Sequence, residues 1–187
     1  MDKMALLIID VQNDYFQGGK MSLPGAEQAA EKISRLLGWF RANRLPVVHI
    51  RHHALGESAT FFIPETEGAQ IYAGVRPEST EKVITKNFPN SFKQTDLLDY
   101  LHEQGITRLV ITGMMAFMCV DATARAASDL DFACTLVHDC TATPPTEFAG
   151  TACSAEQAKS VIMAALSYLC DQVISTEQLL DELEQVD

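Results

Sequence analysis

A carboxylate, an amine and a thiol stand where three short apolar runs end. Asp10 closes the run Met4-Ala5-Leu6-Leu7-Ile8-Ile9, and Lys86 follows Val83-Ile84-Thr85. Cys119 follows Arg108–Thr112 through the connection Gly113-Met114-Met115-Ala116-Phe117-Met118. A free thiol is mostly protonated at neutral pH; a neighbouring ammonium and a helix N-terminus both favour its thiolate. Lys86 and a helix opening at Cys119 would supply both. Asp10 could accept the thiol proton and later deliver it to a leaving amine. Backbone N–H groups at the helix start could hold the oxyanion of a tetrahedral intermediate. The trio reads as an acyl-transfer site, with Cys119 as nucleophile, Lys86 as its electrostatic partner and Asp10 as proton carrier.

These side chains meet only if the runs before them lie side by side. Met4–Val11 is near-continuously aliphatic, as expected of a strand covered on both faces. In Ala26–Arg44, residues Ala29, Ile33, Leu36, Leu37 and Phe40 recur at helical spacing, and Pro46 ends that helix. Further strands are expected at Val47–Ile50, Val83–Thr85, Arg108–Thr112, Ala133–His138 and Gln172–Ser175. Helices are expected at about Thr95–Gln104, Cys119–Asp129 and Ser154–Leu169, with another at the C-terminus. Ser91-Phe92-Lys93-Gln94 and Ser154-Ala155-Glu156-Gln157 both fit the capping-box pattern. Pro144-Pro145 opens a loop that runs to about Cys153. Strands alternating with helices predict an α/β fold: a three-layer α/β/α, Rossmann-like domain around a six-stranded parallel sheet. Residues 1–187 are read as this single domain. Ligands in such sheets bind at the carboxyl ends of the strands, where the trio falls. Arg51–Glu81 lacks periodicity and is long for a loop, which makes it a candidate lid or oligomer arm.

Composition bounds the function. The 187 residues are 47% apolar and 21% charged, enough for a core without staples. Against 14 Lys and Arg stand 25 Asp and Glu, a net charge of −11 that argues against nucleic-acid binding. Part of this charge crowds the C-terminal end at Glu177, Asp181, Glu182, Glu184 and Asp187, as on a solvated helix face. No apolar run approaches the ~20 residues of a membrane span, and the opening run stops at an acid too early for a signal peptide. The cysteines (Cys119, Cys134, Cys140, Cys153 and Cys170) form no CxxC pair, so a reduced, cytoplasmic protein is expected.

The residues that carry the trio also carry a resemblance. Leu7-Ile8-Ile9-Asp10-Val11-Gln12-Asn13-Asp14-Tyr15-Phe16 resembles the opening of the isochorismatase-like cysteine hydrolases. Val83-Ile84-Thr85-Lys86, with Phe88-Pro89-Asn90-Ser91-Phe92, resembles their lysine segment, and Thr112–Ala127 their nucleophile segment. His138-Asp139-Cys140-Thr141-Ala142-Thr143 matches the next strand end. The resemblance runs from about Met4 to Leu180. It implies a six-stranded parallel sheet and an Asp-Lys-Cys triad of Asp10, Lys86 and Cys119. It also implies a cis peptide at Met114–Met115 and an oxyanion hole made by the N–H groups of Met115 and Cys119. A small-molecule substrate and a homodimer or homotetramer are implied as well. The sequence departs from the pattern at Ala116, where many members carry Thr.

Nicotinamidases of that family hold a metal through an Asp-x-His arrangement after the second strand. Here the segment is His49-Ile50-Arg51-His52-His53, without Asp, and Arg51 would repel a cation. On a strand, His49 and Arg51 face one way and Ile50 and His52 the other. No metal or other cofactor is therefore expected. Ala59-Thr60-Phe61-Phe62-Ile63-Pro64 resembles a subgroup that includes streptothricin hydrolase, which opens a cyclic amide. Tyr15, Phe16, Phe61, Phe62, Phe92 and Phe117 fall near the strand ends. Tyr15, Phe16, His52, Phe92 and Phe117 are the candidate substrate contacts. The expected activity is metal-independent hydrolysis of a C–N bond in an amide or lactam through a thioester. The alternatives are vinyl-ether hydrolysis of the isochorismatase type and a catalytically degenerate binding module. A redox-sensing thiol would need a resolving partner, for which Cys140 is nearest.

Overall fold

The structure, a computed structural model, describes residues 3–185. Asp187, the last acid of the C-terminal cluster, lies outside them, as do Met1 and Asp2 of the opening segment. The central strand β1 (Lys3–Ile9) is buried from Ala5 to Ile9. Its alternating residues divide between two cores. Leu6 and Ile8 pack with α1 (Ala26–Ala42), whose inner stripe is Ala29, Ile33, Leu36, Leu37 and Phe40. Ala5, Leu7 and Ile9 pack with the other face, where α2 (Leu97–Glu103), α3 (Asp121–Asp129) and α4 (Ala155–Leu166) supply Leu97, Leu101, Ala124, Ala127 and Leu166. The strand is apolar on both sides because both sides are covered.

Around β1 lie β2 (Val47–His52), β3 (Lys82–Lys86), β4 (Ile106–Met114), β5 (Ala133–Ala142) and, after a hairpin of β6 (Thr146–Phe148) and β7 (Thr151–Cys153), β8 (Gln172–Ile174). The sheet order is β3-β2-β1-β4-β5-β8 and every pairing in it is parallel. The chain winds outward from β1 to β3, then crosses back to β4 and winds the other way. The crossover leaves a switch point between the carboxyl ends of β1 and β4, where sheets of this kind bind ligands. Helix α5 (Thr176–Glu184) closes the α1 side through Leu179 and ties Glu177 to Arg35 in a paired contact of 2.5 and 2.9 Å.

At the switch point the backbone leaves little freedom. Asp10 ends β1 with φ 51°, a left-handed conformation that Asp tolerates better than most residues. Gly113 faces Ile9 in register with φ 121°, and a Cβ there would fall on the Ile9 carbonyl oxygen. Gly113→Ala is accordingly expected to destabilise the protein by about 3 kcal/mol or more. Urea unfolding followed by circular dichroism measures this. A midpoint equal to wild type would show that β1 and β4 can move apart.

Three local readings differ from the sequence pattern. Ser91–Gln94 caps no helix: Gln94 has φ 56° and α2 starts at Leu97. The Ser91 side chain is instead buried on Thr123 of α3, 2.8 Å between hydroxyls, so tertiary anchoring overrides the local motif. The segment after Pro144-Pro145 is not plain loop but the β6–β7 hairpin, reversed at Ala149-Gly150 with φ 51° and 78°. Its strand residues lie at the surface and show no apolar alternation for the sequence to reveal. The helical turn around the thiol begins at Ala116 rather than Cys119, as a π turn over Ala116–Val120 that runs into α3. The capping box at Ser154–Gln157 forms as expected, and a second one forms at Ser175–Gln178.

The Arg51–Glu81 arm contains two short 3-10 turns, Glu67–Ala69 and Ala73–Val75. It lies across the segment after β1. Tyr72 N–H donates to Val11 O and Asn13 N–H to Gln70 O. The side chains of Gln12, Asn13 and Asp14 complete the docking. They bind Ala69 O, Glu67 O and Phe62 N–H at 2.9, 2.9 and 2.7 Å. Gly68 runs so close to the Asp14 carboxylate that no Cβ fits. No helix among the described residues is long and apolar enough to cross a membrane.

Candidate active site

The structure brings Asp10, Lys86 and Cys119 together, at 0, 1 and 5% exposure. Lys86 belongs to β3, two strands from β1, a separation of about 10 Å at ordinary strand spacing. Its extended side chain crosses the end of β2 and places Nζ 2.7 Å from Asp10 Oδ2 and 3.2 Å from Cys119 Sγ. On the way it meets His52, its register partner, with Nζ 3.0 Å from Nδ1. Asp10 Oδ1 has no hydrogen-bond partner among the described residues and stays available to a proton.

Electrostatics modify the expected resting state. Burial, and then the Asp10 carboxylate, push the Cys119 thiol well above its ordinary value; Lys86 opposes this but does not reverse it. Burial and Asp10 thus act against the low-titrating thiolate anticipated from a lysine and a helix start, while Lys86 acts for it. Burial works against the Lys86 charge, yet Asp10 and Cys119 outweigh it and raise that pKa.

The thiol rides on the π turn. Val120 N–H donates to Met115 O at 3.2 Å, and Asp121 N–H to Ala116 O, widening the turn that carries Cys119. The Met114–Met115 peptide is cis, as the resemblance implied. Ala116 is fully buried, while Met115 and Phe117 are half-buried on either side.

The aromatic candidates do not all gather at the trio. Tyr15 is buried, meets Phe62 edge-on with 4.6 Å between ring centroids, and sits close enough to feel the site. Burial, then Asp10 and Cys119, push its phenol well above its ordinary range. Phe16 instead stacks flat on Tyr72 at 3.6 Å and lines a groove of about 1150 Å³ with Arg51, Arg76 and Val83. None of the trio lines this groove. Phe92 packs into the core under α2 and stacks on Phe132 at 6.1 Å. Cys140 is buried on Thr176, 3.3 Å away, and all five cysteines are free. Gln12 is the residue that the motif concealed. Its amide binds both the N–H and the O of His52, at 2.7 and 2.9 Å, and so fixes the end of β2.

The histidines in and just after β2 do not converge on one point. His49 is buried, with Nε2 2.9 Å from Glu81. Burial raises the Glu81 pKa, but Arg41, the Glu78 N–H and His49 prevail and hold it near 2. His53 is tied by its backbone N–H to Lys86 O. Asp10, His52 and Cys119 do present donor atoms within 4.8 Å of one another. The Lys86 ammonium stands among them and touches each. The residues thus fit a fixed organic cation better than a metal ion.

The chain is thus a doubly wound α/β protein with Asp10, Lys86 and Cys119 in contact at the carboxyl edge of its parallel sheet. Residues 4–177 match the Isochorismatase domain. The chain belongs to the isochorismatase-like cysteine hydrolase family. It is 44% identical over 176 residues to the isochorismatase family protein YddQ of Bacillus subtilis, covering 94% of this chain and 98% of that one. A solved isochorismatase hydrolase from Oleispira antarctica superposes with a TM-score of 0.92 at 43% identity, over 96% of this chain and 97% of the other. A streptothricin hydrolase of Streptomyces noursei is 34% identical over 139 residues, which are 74% of this chain and 54% of that protein.

Proposed function

We propose that the protein hydrolyses a C–N bond of a small amide or lactam through a thioester on Cys119. The observation that carries this reading is the enclosed contact of Asp10, Lys86 and Cys119. The free Oδ1 of Asp10 takes the thiol proton as the sulfur attacks the carbonyl carbon. The N–H groups of Met115 and Cys119 receive the developing oxyanion. Asp10 then gives its proton to the leaving nitrogen as the C–N bond breaks. In the second half a water loses a proton to Asp10 and attacks the thioester. The C–S bond breaks, the acid leaves, and Asp10 returns its proton to the sulfur. Lys86 keeps its proton throughout and balances whichever of Asp10 or Cys119 carries the negative charge. Burial and Asp10 push the thiol upward, which suits transfer of its proton to Asp10 as the sulfur attacks. The likeness to a streptothricin hydrolase supports hydrolysis of an amide-bearing substrate.

A panel of primary amides, lactams and N-substituted amides tests this. Acid-quenched turnover mixtures are digested and the Cys119 peptide is weighed. The expected result is an acyl adduct on Cys119 with the best substrate. A turned-over amide that never leaves mass on that peptide would sink the thioester route.

A further inference from the structure

An ammonium has three donors and no acceptor, and Lys86 turns toward three partners. Two of them, Asp10 and Cys119, belong to the chemistry proposed above. The third, His52 Nδ1 at 3.0 Å, has no part in it. Nδ1 can accept from an ammonium only when it is unprotonated, which puts the imidazole proton on Nε2. The residue is held in place. Gln12 binds its backbone on both sides, and the Phe62 ring lies 6.1 Å from the imidazole. The charged and titratable groups facing the ring are Asp10 from the end of β1, Lys86 from β3, Cys119 from the π turn and His53, the next residue after β2.

We infer that His52 is a positioning residue: its neutral imidazole aims the Lys86 ammonium at Asp10 and Cys119, and its protonation undoes that aim. Two cations would then stand 3.0 Å apart, and Lys86 would lose one of its three acceptors. Burial first, and then Lys86 and His53, lower the His52 pKa, with Asp10 opposing. The imidazole is therefore neutral at neutral pH, and the imidazolium forms only as pH falls below its ordinary value of about 6.5. The consequence for rate rests on the hydrolase reading; the hydrogen bond itself does not.

The experiment combines a measurement that needs no substrate with one that does. Long-range proton–nitrogen correlation spectra of the imidazoles are followed from about pH 8 to about pH 5 in wild type and Lys86→Met. His52→Asn assigns the signal, and the other four histidines report that each variant is folded. The expected wild-type signal is an Nε2–H tautomer that titrates below about 6.5, with a midpoint that rises in Lys86→Met. Where the panel has supplied a substrate, the acid limb of kcat should follow the same midpoint. His52→Asn, whose Oδ1 can replace Nδ1 as acceptor, should shift that limb to lower pH. His52→Leu should lower kcat about tenfold or more at every pH. An Nδ1–H tautomer at neutral pH, or a midpoint indifferent to Lys86→Met, overturns the inference. So does an Asn variant as impaired as Leu, because His52 would then be acting as a base. If no amide is hydrolysed by wild type, the hydrolase reading fails and the spectra alone decide the role of His52.

Discussion

Cys119→Ala is expected to lower amide turnover by more than about 10⁴-fold while the protein unfolds within about 1 kcal/mol of wild type. The rate effect follows from the proposed route: without Sγ there is no thioester, and the remaining groups can only orient water. The small stability effect follows from the packing. Cys119 is buried, but the substitution removes one sulfur, and Lys86 retains Asp10 at 2.7 Å and His52 at 3.0 Å. Ammonia or amine release, measured beside urea unfolding, separates the two effects. Turnover within tenfold of wild type in a folded variant would remove Cys119 from the chemistry.

Asp10→Asn is expected to reduce turnover by more than about 10³-fold and at the same time make Cys119 easier to alkylate. The opposite signs follow from the double role of Asp10. In the proposed route it carries the proton between sulfur and nitrogen, so an amide in its place stops both halves of the reaction. It is also, after burial, the main reason the thiol is held above its ordinary value. Neutralising it leaves Lys86 as the charge in contact with Sγ among the described residues, and the thiol pKa falls. Lys86→Met should do the reverse and slow alkylation, because the opposing cation is gone. The measurement is the pH dependence of iodoacetamide labelling at the Cys119 peptide. Slower labelling in Asp10→Asn than in wild type would mean that the carboxylate is not what holds the proton on sulfur.

Much of this arrangement is legible in the sequence, for a physical reason. A strand covered on both faces must be apolar, so β1 announces itself, and the residue that ends it marks the carboxyl edge. The same logic finds the end of β4, whereas the edge strand β3, exposed at Val83 and Thr85, shows only as a short Val-Ile-Thr run before Lys86. What escapes is whatever depends on packing between distant segments. Ser91 looks like a cap until Thr123 arrives from α3 to take its hydroxyl. Phe16 and Phe92 look alike in loops, but one lines an outer groove and the other the core under α2. The contact between His52 and Lys86 follows from register, since the two face each other across β2 and β3. The upward push on the Cys119 thiol reflects how completely the site is enclosed, a property of the assembled fold rather than of any motif.

The way the Arg51–Glu81 arm is fastened bears on how this fold can diversify. Gln12, Asn13 and Asp14 hold the arm by its backbone, at Ala69 O, Glu67 O and Phe62 N–H, and Tyr72 N–H reaches Val11 O. Those four fastenings ask nothing of the side chain at the arm position, beyond the close approach that keeps residue 68 a glycine. The arm is thus an interchangeable module on a fixed socket. Its exposed side chains are free to drift while Asp10, Lys86 and Cys119 keep their contacts.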